Sequence, residues 1–340
     1  MREHLTEIIG RFEGKRIVVL CDLVLDEFLH GEIARVSREA PVLIVDYLRT
    51  DAMPGGGGNA VQNLQALGCS PLPVGVVGED AEGRRLLDVL SGAGIDTSGI
   101  ARLAGYVTPV KTRVLTGLAH SRPQQVIRID RGSPRSVPAD AAGAAGERAR
   151  ALVAGGAAAL LLSDYGYDLV TPEAAAAAIA AARDRGVPAT CDSRHRLTGF
   201  DGVTAATPNL EEAEAVIGRR LEQGHGGENA LEEAGKRLIA KMHSRAMLIT
   251  RGADGMTLVE DGVRAFHVPA FGAGEVADVT GAGDTVIAVF TLALACGAAM
   301  RAATLLANCA AGLVVMKRGT ATVSASELAA SLDRLEVPGA

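Results

Sequence analysis

Apolar residues fall into two rhythms along this chain. Residues 15–21 (KRIVVLC) form a short apolar run rich in β-branched side chains and predict a central strand. Residues 158–162, 187–191 and 247–250 are further strand candidates. Between them lie longer Ala-rich, helix-forming stretches at 140–156 and 171–185, each ahead of a strand candidate. That alternation predicts βαβ units and a parallel sheet. Two stretches break the rhythm. Residues 31–48 read as two extended pieces around a Pro turn, and residues 105–130 are extended with alternating apolar positions. They predict a small sheet standing off the main one. Residues 286–295 have the length and composition of a buried helix. With no internal repeat and no disordered linker, one α/β domain is expected over residues 1–340, with extra strands at about 30–50 and 105–130.

Composition narrows the function. Apolar residues are 48% of the chain, enough for a substantial core. Aromatics are only 3%, without Trp, which argues against a platform for stacking nucleic-acid bases. A net charge of −6 disfavours general binding to nucleic acid or anionic membranes. No apolar run reaches membrane-spanning length, and residues 1–10 are charged and lack a signal-peptide core. Cys21, Cys69, Cys191, Cys296 and Cys309 are scattered, form no C-x-x-C and read as buried thiols of a reducing cytoplasm. The histidines form no H-E-x-x-H and no cluster with Cys, so zinc is not expected.

The candidate chemistry centres on Asp278-Val279-Thr280-Gly281-Ala282-Gly283-Asp284, which runs into the buried helix. A small-residue turn opening a helix presents unpaired N–H groups and a positive dipole end, a seat for phosphate oxygens. A carboxylate in the first helical turn, here Asp284, is favoured in its ionised form and can accept a proton. A glycine turn with an aspartate cap also satisfies this stretch taken alone. Elsewhere, Asp22 and Asp26 follow the first strand, where parallel sheets place ligand contacts. The glycines of Pro54-Gly55-Gly56-Gly57-Gly58-Asn59 allow close approach of a ligand, and Asn59 can donate and accept. This is not a Walker A loop, since no G-x-x-x-x-G-K-[ST] occurs. Polar residues follow further strands as Ser163-Asp164-Tyr165-Gly166 and Asp192-Ser193-Arg194. Asn209 and Glu212 read equally as a helix start and as an N-x-x-E motif. Gly272-x-Gly274-x-x-Ala277 matches a loose dinucleotide pattern, but no βαβ unit with a downstream acid follows it.

In order along the chain, the glycine loop, N-x-x-E, Thr250-Arg251-Gly252 and Gly281-Ala282-Gly283-Asp284 resemble the signatures of the ribokinase-like (PfkB) carbohydrate kinases. The resemblance implies a doubly wound, mostly parallel sheet with a small β-sheet lid, and ATP-dependent phosphorylation of a sugar hydroxyl. It implies Asp284 as catalytic base, with the amides of Gly281, Ala282 and Gly283 as anion hole. Asp22, Gly56, Gly57 and Asn59 would hold the sugar. Asn209, Thr250, Gly252, Gly255 and Asn308 would lie along ATP. Asn209 and Glu212 would organise Mg2+ through water, and Asp278 and Thr280 would lie near a monovalent cation such as K+. It further implies a homodimer through the lid.

Arg35-Val36-Ser37-Arg38-Glu39-Ala40-Pro41, Lys111-Thr112-Arg113, Gln124-Gln125 and Arg128 resemble the heptose-7-phosphate kinases within this family. Lys111, Arg113, Arg128 and Arg194 would then seat an acceptor phosphate. Three departures stand out: Cys21 where the family usually has Gly, Tyr167-Asp168 where the heptose kinases have Lys-Gly, and Arg194 where they have Lys. No nucleotidyltransferase region follows the kinase-like part, so a kinase without adenylyltransferase is expected. A free-sugar kinase and a catalytically silent sugar-binding relative are the alternatives.

Overall fold

The first strand alternates between two cores. Ile17, Val19 and Cys21 face one and Val18 and Leu20 the other, all fully buried. Only a strand covered on both sides by other elements carries such a continuous apolar run. This strand, β1 (Arg16–Cys21), follows helix α1 (Arg2–Ile9) and lies inside a nine-stranded sheet. The computed structural model that shows this describes residues 1–117, 124–132, 137–221, 228–272, 277–317 and 319–335.

In chain order the small sheet follows at once, with β2 (Leu23–Val36) and β3 (Leu43–Gly56). The main sheet resumes with β4 (Ser70–Gly78) and β5 (Ile100–Leu103), and the small sheet is completed by β6 (Val110–Gly117) and β7 (Gln124–Arg131). The main sheet then adds β8 (Ala159–Asp164), β9 (Ala189–Ser193), β10 (Ala205–Ala206), β11 (Ala246–Thr250), β12 (Met256–Glu260) and β13 (Phe266–Val268). Its spatial order is β13-β12-β11-β10-β9-β8-β1-β4-β5. Pairing is parallel from β5 through β11 and antiparallel at the β12 and β13 edge.

Helices cover both faces. Together with α1, helices α2 (Gly57–Ala66), α3 (Ala81–Gly92), α8 (Ala282–Ala295), α9 (Met300–Val315) and α10 (Ala325–Ser331) build one core. The other belongs to α4 (Ala139–Ala154), α5 (Pro172–Asp184), α6 (Leu210–Ile217) and α7 (Glu228–Met242). This is the doubly wound arrangement expected. The chain winds outward from β1 to β4 on one side and from β8 to β11 on the other. The order therefore reverses between β1 and β8, and the loops leaving their carboxyl ends diverge into a crevice.

The small sheet has the order β3-β2-β6-β7, with β2 and β6 parallel and the outer pairs antiparallel. Its strands are longer than the pattern suggests. β2 begins at Leu23, one residue after β1 ends, and β3 runs to Gly56, which pairs with Leu23. Leu23, Val24, Leu25 and Phe28 are buried like main-sheet residues, so their apolar run carries no sign of the crossing. Asp26 is therefore a strand residue rather than part of a turn. Gly55 and Gly56 are the last rungs of a ladder rather than loop. Every residue of β7 is exposed. Among the described residues no helix is long and apolar enough to cross a membrane. All five cysteines are free and buried.

Candidate active site

The crevice gathers side chains from both sheets. Asp22, the single residue between β1 and β2, is 2% exposed. Its Oδ2 accepts the backbone N–H groups of Tyr165 (2.8 Å) and Tyr167 (3.1 Å). Its Oδ1 is buried without a partner. Burial pushes this carboxyl up to about 6 against the pull of the two amides. Gly57 opens α2 and donates its N–H to the Asp22 carbonyl (3.1 Å). A Cβ on Gly57 would stand 2.2 Å from Cys21 Cβ, so the thiol fills the space left by the glycine. Gly56 has φ +56, a conformation that favours glycine.

Asn59 links this wall to the next one. Fully buried on α2, it donates through Nδ2 to Asp284 Oδ2 (3.1 Å) and to the Gly281 carbonyl (3.3 Å). Gly281 caps α8 with φ +79, and a Cβ there would lie 2.3 Å from Asn59 Nδ2. Gly283 is exposed, with open space beside the helix start. Ala282 N–H has a long internal bond to the Val279 carbonyl (3.3 Å).

Asp284 is 4% exposed, and the Tyr165 hydroxyl donates to its Oδ1 at 2.7 Å. Burial raises its carboxyl to about 6, opposed chiefly by the hydrogen bonds from Tyr165 and Asn59. The helix start alone leads one to expect a favoured carboxylate. Desolvation outweighs that effect.

The four candidate cations separate. Arg113 Nη1 lies 2.8 Å from Asp26 Oδ1 in an ion pair whose geometry is not that of a hydrogen bond, and its guanidinium sits over Phe28. Arg128 is half exposed and forks onto Asp130 of its own strand (2.8 and 3.0 Å). Both are thus engaged within the protein, unlike the open seat the sequence suggests. Lys111 and Arg194 instead converge on the Tyr165 ring, with the Lys111 Nζ and the Arg194 guanidinium carbon 5.3 and 4.2 Å from its centroid. Neither forms an ion pair among the described residues. Burial, then Arg194, lowers the Lys111 ammonium. Asp168, in place of the expected Gly, has φ +66 and is held by Arg196 at 2.7 Å.

The other candidates lie along the carboxyl ends of β9 to β11. Asn209 and Glu212 form a reciprocal capping box at the start of α6 (2.8 and 2.9 Å), so the helix-start reading holds whatever else they do. Burial raises the Glu212 carboxyl. Thr250 ends β11 and bridges to Asn209; Gly252 and Gly255 follow with φ +58 and +83. A Cβ on Gly255 would meet the Val268 carbonyl at 2.0 Å. Asn308, on α9, donates to the Pro269 carbonyl (2.8 Å) and is 3% exposed, which ties the 269–272 segment to the helix. Asp278 accepts the N–H groups of Thr280 (2.9 Å) and Gly319 (3.1 Å), fixing the turn before the cradle. In the loose dinucleotide pattern, residue 274 lies outside the described residues; α8 begins after the later turn at Gly281.

Two participants were not singled out by the sequence reading. Tyr165 reaches Asp284 across 119 positions of chain, and only its place after a strand end hints at that role. Asp192 is the penultimate residue of β9, two positions before Arg194; burial, then Glu212 and Asp284, raises its carboxyl well above the usual range. A separate cavity of about 800 Å3 opens at the amino ends of β9, β10 and β11, around Pro188, Thr204 and Arg245, and contains none of these groups.

A buried carboxylate beside a glycine-opened helix start lies at the switch point of this doubly wound sheet, and the family match makes the chain a phosphotransferase with an alcohol group as acceptor. The chain belongs to the PfkB carbohydrate kinases: residues 48–327 match the pfkB family carbohydrate kinase profile. It is similar to the "Bifunctional protein HldE" of Geobacter metallireducens, with 40% identity over 97% of this chain and 66% of that protein. The HldE of Azotobacter vinelandii is 41% identical over 95% of this chain and 65% of that protein. The chain thus spans about two thirds of these relatives. Among solved structures, Escherichia coli phosphofructokinase-2 in complex with substrates and products superposes with TM-score 0.75 at 18% identity, covering 94% of this chain and 99% of that one. Arabidopsis thaliana ribokinase complexed with ribose and ATP does so with TM-score 0.68 at 20% identity and the same coverage.

Proposed function

We propose that this kinase transfers the γ-phosphoryl of ATP to the anomeric hydroxyl of a sugar phosphate, most specifically a heptose 7-phosphate. The observation that carries the reading is the pairing of Asp284, at the α8 cradle, with the bare buried oxygen of Asp22 across the crevice. An orphaned carboxylate oxygen is costly unless a ligand hydroxyl completes it. In this reading Asp22 and the Gly56–Gly57 backbone orient the acceptor, and Asp284 takes its proton. The first amides of α8 steady the transferred group. Lys111 and Arg194, which form no ion pair among the described residues, receive the acceptor's phosphate, while Asp26 holds Arg113. The heptose-kinase phrase at 35–41 and the HldE relatives support that acceptor.

Asn209 and Glu212 suit a hydrated Mg2+, since no group of three or more acidic, His or Cys side chains among the described residues could bind a bare ion. When bound, the ion supplies charge neutralisation at the ATP phosphates. Thr250, Gly252, Gly255 and the Asn308-pinned segment border the nucleotide, and Asp278 and Thr280 offer oxygens to K+. We also place a homodimer contact on the small sheet, which would act as the lid. Exposed Val36, Leu43, Tyr47, Leu48, Ile127 and Ile129 all lie on its strands or between them.

A free-sugar acceptor is the second reading. The engagement of Arg113 by Asp26 and the Tyr167 that replaces a lysine favour it, because both remove a cation from the seat. An ATP-consumption screen over free and phosphorylated hexoses, pentoses and heptoses decides between them. The proposal expects heptose 7-phosphate to give the highest kcat/KM. Equal kcat/KM for a free sugar and its phosphate would overturn it.

A further inference from the structure

Tyr165 contacts both proposed acceptor-side carboxylates and two of the candidate cations, yet the chemistry above assigns it no task. Its backbone N–H donates to Asp22 Oδ2 and its hydroxyl to Asp284 Oδ1. Its ring carries Arg194 at 4.2 Å and Lys111 at 5.3 Å. Burial, with the Asp284 charge, keeps the phenol protonated far above neutral pH, so the hydroxyl is always the donor in that bond. A single side chain therefore bridges two cations that form no ion pair among the described residues and the proposed base.

We infer that Tyr165 is a positioning residue that links occupancy of the Lys111–Arg194 pair to the readiness of Asp284 to accept a proton. The inference rests on the reading of Asp284 as base and of the cation pair as phosphate seat. A cation against an aromatic face withdraws electron density and makes a phenolic hydroxyl a stronger donor. With the seat empty, a strongly donating Tyr165 and a nearby Arg194 both hold Asp284 as a stable, weakly basic carboxylate. A dianionic phosphate between the cations cancels their charge. The hydroxyl bond then weakens, and Asp284 gains proton affinity just as the acceptor hydroxyl arrives. The other groups facing Asp284 are Asn59 on α2, Asp26 on β2, Cys21 on β1 and Asp192 on β9. None of them also contacts both cations. Such a device keeps the base least reactive when only water is present, and so limits wasteful ATP hydrolysis.

The test compares two pH profiles in wild type and Tyr165→Phe, with ATP saturating and heptose 7-phosphate varied. The acid limb of kcat/KM reports the enzyme before the acceptor binds, and that of kcat the enzyme with it bound. In wild type the kcat limb should lie at higher pH than the kcat/KM limb. In Tyr165→Phe the kcat/KM limb should rise by about one pH unit, the scale of one hydrogen bond to a charged group, and the gap should close. Ionisation of the acceptor's own phosphate enters both proteins equally. Arg194→Gln breaks the link at its other end and should also narrow the gap, which keeps the test available if Tyr165→Phe does not fold.

A gap unchanged in both variants, or a uniform loss of rate with unmoved limbs, overturns the inference. The parent reading fails differently. Full activity in Asp284→Asn would remove the base, and equal use of free and phosphorylated sugars would remove the seat.

Discussion

Replacing Asp284 by Asn should make the unliganded protein more stable while disabling it, and the gain should depend on pH. Asp284 is 4% exposed, and burial lifts its carboxyl from 3.8 to about 6. A carboxyl raised on folding favours the folded state below its unfolded value and loses that contribution as pH climbs through its folded value. A rise of about two units corresponds to about 3 kcal/mol lost above pH 6. Asn carries no charge and avoids that loss. It does disturb the donor from Asn59, because its own NH2 cannot accept that bond, at a cost of about 1 kcal/mol. The net gain for the variant at about pH 8 is therefore about 2 kcal/mol. Only the ionisation part varies with pH, so the advantage should shrink by about 2 kcal/mol between about pH 8 and pH 4.5. Urea unfolding of both proteins at the two pH values measures this difference of differences, and the unchanged hydrogen-bond cost cancels. In parallel, kcat should fall by about 10²–10⁴-fold. A stability difference that does not change with pH would refute the claim that the fold holds this carboxylate against desolvation.

Three other outcomes are expected. Asp22→Asn should raise KM for the acceptor by about tenfold or more, through the loss of a charge-assisted hydrogen bond, with KM for ATP little changed; equal effects on both substrates in steady-state kinetics would count against acceptor contact. Glu212→Gln can still accept the Asn209 amide, so thermal stability should hold while the Mg2+ concentration for half activity rises, as an activity titration would show. Lys111→Ala should raise KM for a phosphorylated acceptor, with an effect that shrinks as salt increases, whereas Arg128→Ala, paired with Asp130, should change it little; similar salt-dependent kinetics for both variants would return Arg128 to the seat.

The parallel sheet was legible because its strands are buried on both faces and announce themselves as short apolar runs between Ala-rich helices. The glycine-capped start of α8 with its first-turn carboxylate was legible because it is local: Gly281, Gly283 and Asp284 lie within four positions. What the sequence hid depends on long-range placement. The border of the small sheet was lost because residues 23–25 continue the apolar run of the strand before it after the single residue Asp22. Arg113 looked free because its partner, Asp26, belongs to a strand 87 positions earlier. Tyr165 reads as an ordinary loop aromatic until β8 and α8 bring its hydroxyl to Asp284. The motif at Asn209 and Glu212 shows the reverse case. Its helix-capping bonds are visible in the structure, and they leave its part in metal binding to experiment.

Asp22 is the only residue between a strand of the main sheet and one of the small sheet, and Gly56 ends the partner strand opposite Leu23. The small sheet is thus cantilevered from the residues proposed to face the acceptor, without slack at the anchor. Any tilt of that sheet turns the Asp22 backbone and shifts the Gly56–Gly57 corner with it. If those residues hold the acceptor as proposed, gripping it and swinging the sheet are one mechanical coordinate. An acceptor too short to touch the outer strands would still pull on them through their root.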